Sequence, residues 1–327
     1  MEESIMAKKN VRKYVKTLFS GVAGEWLSFT SLRIKQSSYA VYKSTLDRHI
    51  LPYFGSYDMR SLTVAAISNF AKDKLASGRL DKKGGLSAKT VYDMLSIIKS
   101  ILGYAHDAGK MAHRIKVAYP KLHRQTMRVF NMKEQKHLMS NLEKGAGIYD
   151  LGVTLCLHTG IRVGEVCGLM WQDISFDQDM VTVKRTMQRV QDHTGSGSKT
   201  KVTVGTPKSP SSLRSIPIPK FLSRILRKHA KGKQGYFLAT EKSEFTEPRT
   251  MQNHFARLLK RLNIPKANFN TTRHTFATRC IEAGVDVKSL SEMLGHATVG
   301  TTLSHYVHSS LEQKRACIAK LMRHLRS

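Results

Sequence analysis

Between Asn270 and Tyr306 the chain reads NTTRHTFATRCIEAGVDVKSLSEMLGHATVGTTLSHY, which gathers a cation pair (Arg273, His274), a histidine after a glycine (His296) and a tyrosine (Tyr306). Such a set suits a phosphodiester. A phenol with its ordinary pKa of about 10 is a poor nucleophile at neutral pH, so it must attack a substrate whose charge and leaving group the protein manages. Two arginines can neutralise the non-bridging oxygens of the pentacoordinate transition state, each as a planar fork of donors, without a metal. Taken singly these residues are ordinary, since a tyrosine among helices is commonly a core residue and a histidine after a glycine commonly ends a helix. Their joint order raises the chemical reading.

The elements that must hold them are legible around them. Thr271 or Thr272 can cap a helix whose apolar positions Phe276, Ala277, Cys280 and Ile281 recur at helical spacing, and Gly284 fits the left-handed residue that ends it. Asp286 caps the next helix, Leu290, Met293 and Leu294 give it a buried face, and Gly295 stops it, so backbone geometry fixes His296. Upstream, a helix over about Tyr149 to Leu157 and a turn at His158 to Gly160 lead into a second helix carrying Arg162, Glu165, Val166 and Leu169. Glu165 lies one turn beyond Arg162 and could orient its guanidinium; as a mere surface ion pair the two would contribute under about 1 kcal/mol. Period-two alternation marks MVTVKRTMQRV and TKVTVGTPK as strands joined by QDHTGSGS, with RSIPIP as a third strand closing the sheet and Lys208 at the turn before it. KFLSRILRKHA and PRTMQNHFARLLKRLNI read as helices behind the site.

These residues resemble the tyrosine recombinases, or phage-type integrases, and look closest to those of conjugative transposons. The resemblance rests on HTGIRVGEVCGL around Arg162, TPKSPSSLRSIPIP around Lys208, NTTRHTFAT around Arg273, and MLGHATVGTTLSHYVH with His296 and Tyr306, and it extends from about Leu18 onward. It implies catalytic roles for Arg162, Lys208, Arg273, His296 and the nucleophile Tyr306, with Lys208 protonating the departing 5′ oxygen and Glu165 in support. Asn270 stands where the family has a histidine, and an amide can donate a hydrogen bond but cannot shuttle a proton. The implied reaction is site-specific cleavage and rejoining of DNA through a 3′-phosphotyrosyl intermediate, which integrates and excises a mobile element with no cofactor, metal or ATP. The implied partners are double-stranded DNA at element ends and target sites and a homotetramer on the synapsed DNA, with room for exchange of C-terminal helices and for accessory DNA-bending or excisionase proteins.

The same resemblance implies a mainly α chain with a small antiparallel β-sheet in the catalytic domain, arranged as a two-domain C-shaped clamp. Its expected layout is a basic tail over 1–17, a helical core-binding (SAM-like) domain over 18–114, a linker over 115–129, and a catalytic domain over 130–327 ending in a helix over 309–325. In the first domain Leu18, Val22, Trp26 and Phe29 mark one helix. Ser38 begins another that runs until Pro52 and Gly55 break it, Ile67, Phe70 and Leu75 face inward from a third, and Ser87 caps a long fourth. Lys43, Arg48, Lys89 and Lys99 are candidates for phosphate contacts.

Composition narrows the partners. A formal net charge of +30, from 54 Lys and Arg against 24 Asp and Glu, calls for a polyanion, without telling DNA from RNA. No apolar run approaches the twenty or so residues of a membrane span, and the N-terminus lacks the apolar core of a secretory signal, so a soluble, cytoplasmic protein is expected. Cys156, Cys167, Cys280 and Cys317 fall within apolar helical patterns without zinc-like spacing and read as buried small hydrophobes. Three rivals share part of this profile: a type IB topoisomerase, a non-catalytic DNA-binding regulator, and a metal nuclease, the last poorly matched because no carboxylate cluster accompanies the histidines.

Overall fold

Local capping signals set several of the helix starts. Thr63 accepts from the Ala66 N–H (3.1 Å) and Ser87 from the Thr90 N–H (3.1 Å), and at Asn131 the bond is reciprocal with Glu134 (2.8 and 3.0 Å). The structure, a computed structural model, describes residues 16–122, 127–144, 147–192, 200–206 and 210–306, with isolated positions beyond. Lys208, Cys317 and most of the expected helix over 309–325 lie outside the described residues, as does the tail over 1–15. The chain divides into two units, Met1–Gln125 with Gln191–Lys199, and Thr126–Val190 with Thr200–Ser327.

The first unit is helical: α1 (Phe19–Ser31), α2 (Gln36–Thr45), α3 (Leu51–Phe54), α4 (Val64–Ser77) and α5 (Ala88–Asp107). Its core is built on α5, whose Val91, Leu95, Ile98 and Ala105 are buried, against Phe19, Trp26, Phe54 and Phe70. Each of the larger of these side chains contributes roughly 1.5–3 kcal/mol by leaving water, and the Trp26 indole N–H is satisfied by Ser100 Oγ (3.0 Å). Ile115, Val117 and Tyr119, which the sequence places in a linker, lie against this core. Two sequence expectations are corrected. Pro52 does not break the helix: the path widens into a π-turn over Leu46–Ile50, which gives room to a ring lacking an N–H, and continues as α3. Leu75 does not face inward but is 39% exposed; Phe29, which marks α1, is 45% exposed and lies beside Tyr104 with the Arg33 guanidinium over its ring.

The second unit begins with α6 (Met132–Lys144), α7 (Ile148–Thr159) and α8 (Val163–Gly168) and, after the strands, adds α9 (Lys220–Ala230), α10 (Pro248–Arg261), α11 (Asn270–Glu282), α12 (Val287–Leu294) and α13 (Val299–Tyr306). The strands are β1 (Ile174–Ser175), β2 (Met180–Val183), β3 (Thr186–Gln191), β4 (Thr200–Gly205) and β5 (Arg214–Pro217). They form two small sheets, β1-β2-β5 and β3-β4, where the sequence suggested one. The long first strand is interrupted at Lys184 and Arg185, whose side chains both pair with the buried carboxylate of Asp173 (3.2 and 2.5 Å). RSIPIP pairs antiparallel with β2, Ile216 opposite Val181, and not with β4. This seats Arg214 at the start of a strand that is held on the domain core.

Gly160 ends α7 in the left-handed conformation (φ 65°), and a Cβ there would lie 2.6 Å from Phe276 Cδ1 and 2.9 Å from Leu294 Cδ2. Gly160→Ala is therefore expected to destabilise the second unit by about 2–4 kcal/mol through backbone strain and overpacking. Denaturant unfolding checks this; a midpoint unchanged from the wild type would contradict it.

Candidate active site

The site is assembled from helix ends. Arg162 is the residue before α8, and its main-chain N–H donates to Glu165 Oε2 (2.9 Å) while its Nη1 donates to Glu165 Oε1 (2.7 Å). The Glu165 carboxylate is buried and takes a second guanidinium, Arg214 from β5, at 2.8 and 3.2 Å. Burial pushes the Glu165 carboxyl upward, but the hydrogen bonds and charge of Arg214, followed by the charge of Arg162, outweigh it and hold the group below its ordinary range. One buried anion thus fixes two cations.

Arg273 is anchored differently. It is buried within α11, and its Nη1 donates to Gly160 O (2.9 Å) and its Nη2 to Leu294 O (2.8 Å), carbonyls at the C-terminal ends of α7 and α12. Arg214 Nε donates to the neighbouring Met293 O (2.6 Å). The last carbonyls of a helix lack internal partners and carry partial negative charge, so they hold guanidinium groups well. Among the described residues no carboxylate lies within ion-pair distance of Arg273. Burial, then the like charge of Arg162, pushes its pKa down to about 10, and it stays cationic at neutral pH.

His296 is placed as the sequence suggested. Gly295 is left-handed (φ 64°), and the His296 N–H reaches back to Ser291 O (3.1 Å), closing the end of α12. Arg273 Nη2 lies 2.8 Å from His296 Nε2, and because a guanidinium only donates, Nε2 accepts and the ring proton sits on Nδ1, 2.7 Å from Thr302 Oγ1. Tyr306, on α13, is buried with its ring parallel to His296 (6.3 Å between centroids, 2°), and its hydroxyl is 2.8 Å from His274 Nδ1. Burial raises the phenol above its ordinary pKa, opposed by the positive charges of Arg273 and Arg162.

The structure therefore brings Arg162, Glu165, Arg273, His274, His296 and Tyr306 together, and places Asn270, exposed, one turn before Arg273 at the start of α11. Thr271 and Thr272 do not cap this helix; they lie inside it, buried, and Thr272 Oγ1 donates to Phe269 O (2.8 Å) instead. Arg214 and Thr302 were not singled out from sequence. The sequence carried no local signal for Arg214, whose partner Glu165 lies 49 positions earlier. In the first unit Lys43 pairs with Asp47 (2.9 Å) and Lys89 with Asp93, whereas Arg48 and Lys99 are exposed. Exposed pairs of this kind are worth about 1 kcal/mol or less and do not bar a phosphate.

Comparison with known proteins settles the lineage. The model of the phage integrase family matches residues 128–313, more than half of the chain, and that of the phage integrase N-terminal SAM-like domain matches residues 18–75. The chain belongs to the phage integrase family. It is similar to the ICEBs1 integrase of Bacillus subtilis, 23% identical over 96% of this chain and 85% of that protein. It is also similar to a XerC-like tyrosine recombinase of Caldanaerobacter subterraneus, 28% identical over 72% of this chain and 66% of its relative, just under two thirds of that protein's length. Its fold matches the Tn1549 transposon integrase in complex with a circular intermediate DNA, with a TM-score of 0.76 at 18% identity, covering 93% of this chain and 99% of that one. This integrase is accordingly an enzyme of the tyrosine-recombinase type, mainly helical with small antiparallel sheets, that acts in site-specific recombination. Among its described residues no helix is long and apolar enough to cross a membrane.

Proposed function

We propose that this integrase cuts and rejoins duplex DNA at the ends of a mobile element and at its target, with Tyr306 as nucleophile. The Tyr306 oxygen bonds to the scissile phosphorus as the bond to the 5′ oxygen breaks, leaving a 3′-phosphotyrosyl link and a 5′ hydroxyl. One ester replaces another, so the reverse reaction on a partner strand needs no ATP. The observation that carries this reading is Arg273, buried, held in plane by two carbonyls and a histidine, and lacking a carboxylate among the described residues, beside a buried phenol. Arg162, 38% exposed at its side chain, completes the fork for the non-bridging oxygens. His296 fixes the Arg273 plane by accepting through its Nε2. Lys208 is assigned to the leaving 5′ oxygen, and Asn270 to a hydrogen bond with the phosphate.

The reading extends to assembly. DNA-bound copies would form a tetramer on the synapsed ends and exchange their C-terminal helices. Ile318 and Met322, apolar positions of the helix expected over 309–325, are 62% and 43% exposed, which supports a partner surface over packing on their own domain. Candidate backbone contacts are Lys43, Arg48, Lys89 and Lys99, and accessory DNA-bending or excisionase proteins fit the same scheme. The test is a nicked duplex carrying an element end, incubated with the protein and a chelator. A covalent adduct whose peptide maps to Tyr306 is expected. An adduct formed only with added divalent ions, or mapping elsewhere, would overturn the reading.

A further inference from the structure

Burial keeps the Tyr306 phenol protonated at neutral pH, so the proton must leave as the oxygen attacks. Among the described residues around it, most cannot take that proton. The guanidinium groups of Arg162 and Arg273 have no basic lone pair, and Asn270 is an amide. Glu165 is locked between Arg162 and Arg214, with both oxygens accepting. His296 already accepts from Arg273 through Nε2 and faces Thr302 through Nδ1. His274 remains. It follows Arg273 directly in α11, and adjacent helical residues point about a quarter-turn apart or slightly more, so Arg273 can face the phosphate while His274 faces the nucleophile. Its Nδ1 is 2.8 Å from the Tyr306 oxygen, with the two rings 5.7 Å apart and inclined at 43°.

We propose that His274 is a catalytic residue, the general base that receives the Tyr306 proton on Nδ1 during strand cleavage. The inference rests on Tyr306 being the nucleophile. In the resting state the imidazole is neutral with its proton on Nε2, and the phenol donates to Nδ1. As the bond from Tyr306 to phosphorus forms, the phenolic proton passes to Nδ1 and gives an imidazolium. The bond to the 5′ oxygen breaks, and that oxygen takes a proton from a separate acid. In rejoining, the 5′ hydroxyl returns its proton to that acid as it attacks, and the imidazolium returns its own to the departing phenolate. Atoms and charge balance in both directions, with no further reagent.

The experiment uses the full chain on the nicked duplex above, comparing wild type with His274→Gln, which keeps a hydrogen-bonding side chain that cannot accept a proton. The rate of adduct formation is expected to fall about a hundredfold or more. Two readouts separate a base from a structural prop. With a difluorinated tyrosine in place of Tyr306, whose hydroxyl ionises more readily, the defect of His274→Gln should shrink at least about tenfold. With sulfur in place of the bridging 5′ oxygen, a leaving group that needs no acid, the defect should persist. A defect below about threefold, one indifferent to the fluorinated tyrosine, or one removed by the sulfur would each overturn the proposal. Should His274→Gln not fold, judged by its thermal midpoint, His274→Asn gives the same comparison. If the wild type forms no adduct, it is the nucleophile assignment that falls.

Discussion

Tyr306→Phe is expected to abolish the covalent protein–DNA complex and strand transfer, a loss of at least about 10⁴-fold, while leaving the fold and DNA affinity nearly unchanged. The substitution removes one oxygen. The ring remains parallel to His296 and packed with Ala277, Leu290 and Leu294. The forfeited hydrogen bond to His274 costs roughly 1 kcal/mol. A denaturing gel of the nicked-duplex reaction reads the chemistry and a mobility shift reads binding. Cleavage at the wild-type rate would remove Tyr306 from the mechanism and favour a DNA-binding regulator or another nucleophile.

The second large effect falls on Glu165→Ala. Glu165 is the shared counter-charge of Arg162 and Arg214, and the Arg214 side chain is only 5% exposed. Removing the carboxylate leaves a buried cation unpaired, a change that typically costs about 3–5 kcal/mol. Arg162 loses both orienting bonds as well, so cleavage should fall further than stability alone requires. Chemical denaturation compared with single-turnover cleavage of the folded fraction separates the two. The pH dependence has a definite sign. Because the folded-state carboxyl is held below its ordinary value of 4.5, its contribution is fully present above that value and disappears as pH falls through the lower folded value. Glu165→Ala should accordingly lose the part of the acid destabilisation that lies below about pH 4.5. A variant as stable as wild type at neutral pH would mean that Arg214 is satisfied by Met293 O and Ser212 O alone.

What could be read from the chain was local. Asp286 caps α12 through the Ser289 N–H, Gly295 ends it in the left-handed conformation, and both follow from neighbours a few residues away. The order of Arg162, Arg273, His296 and Tyr306 was legible through the family resemblance of the strings around them, and the structure gathers these residues. Pairing across distance was illegible. That β5 lies on β2 and not on β4 goes with a strand break at Lys184 and Arg185, residues that pair with the buried Asp173 earlier in the chain. Phe29 sits on a helical apolar stripe and is still exposed, because periodicity gives a face and not what covers it. Arg214 was hidden for a related reason: one arginine in a basic chain of 54 Lys and Arg becomes special only when a buried carboxylate 49 positions earlier meets it.

The acceptors that hold Arg214 and Arg273 at α12 belong to the main chain of Met293 and Leu294, not to their side chains. Drift in the side chains there leaves both anchors in place, so long as the replacements still pack. An inserted or deleted residue in that last turn would misalign both arginines at once. The locus is thus tolerant of substitution and intolerant of length change, a pattern that a scan of single-residue deletions across α12 would display directly.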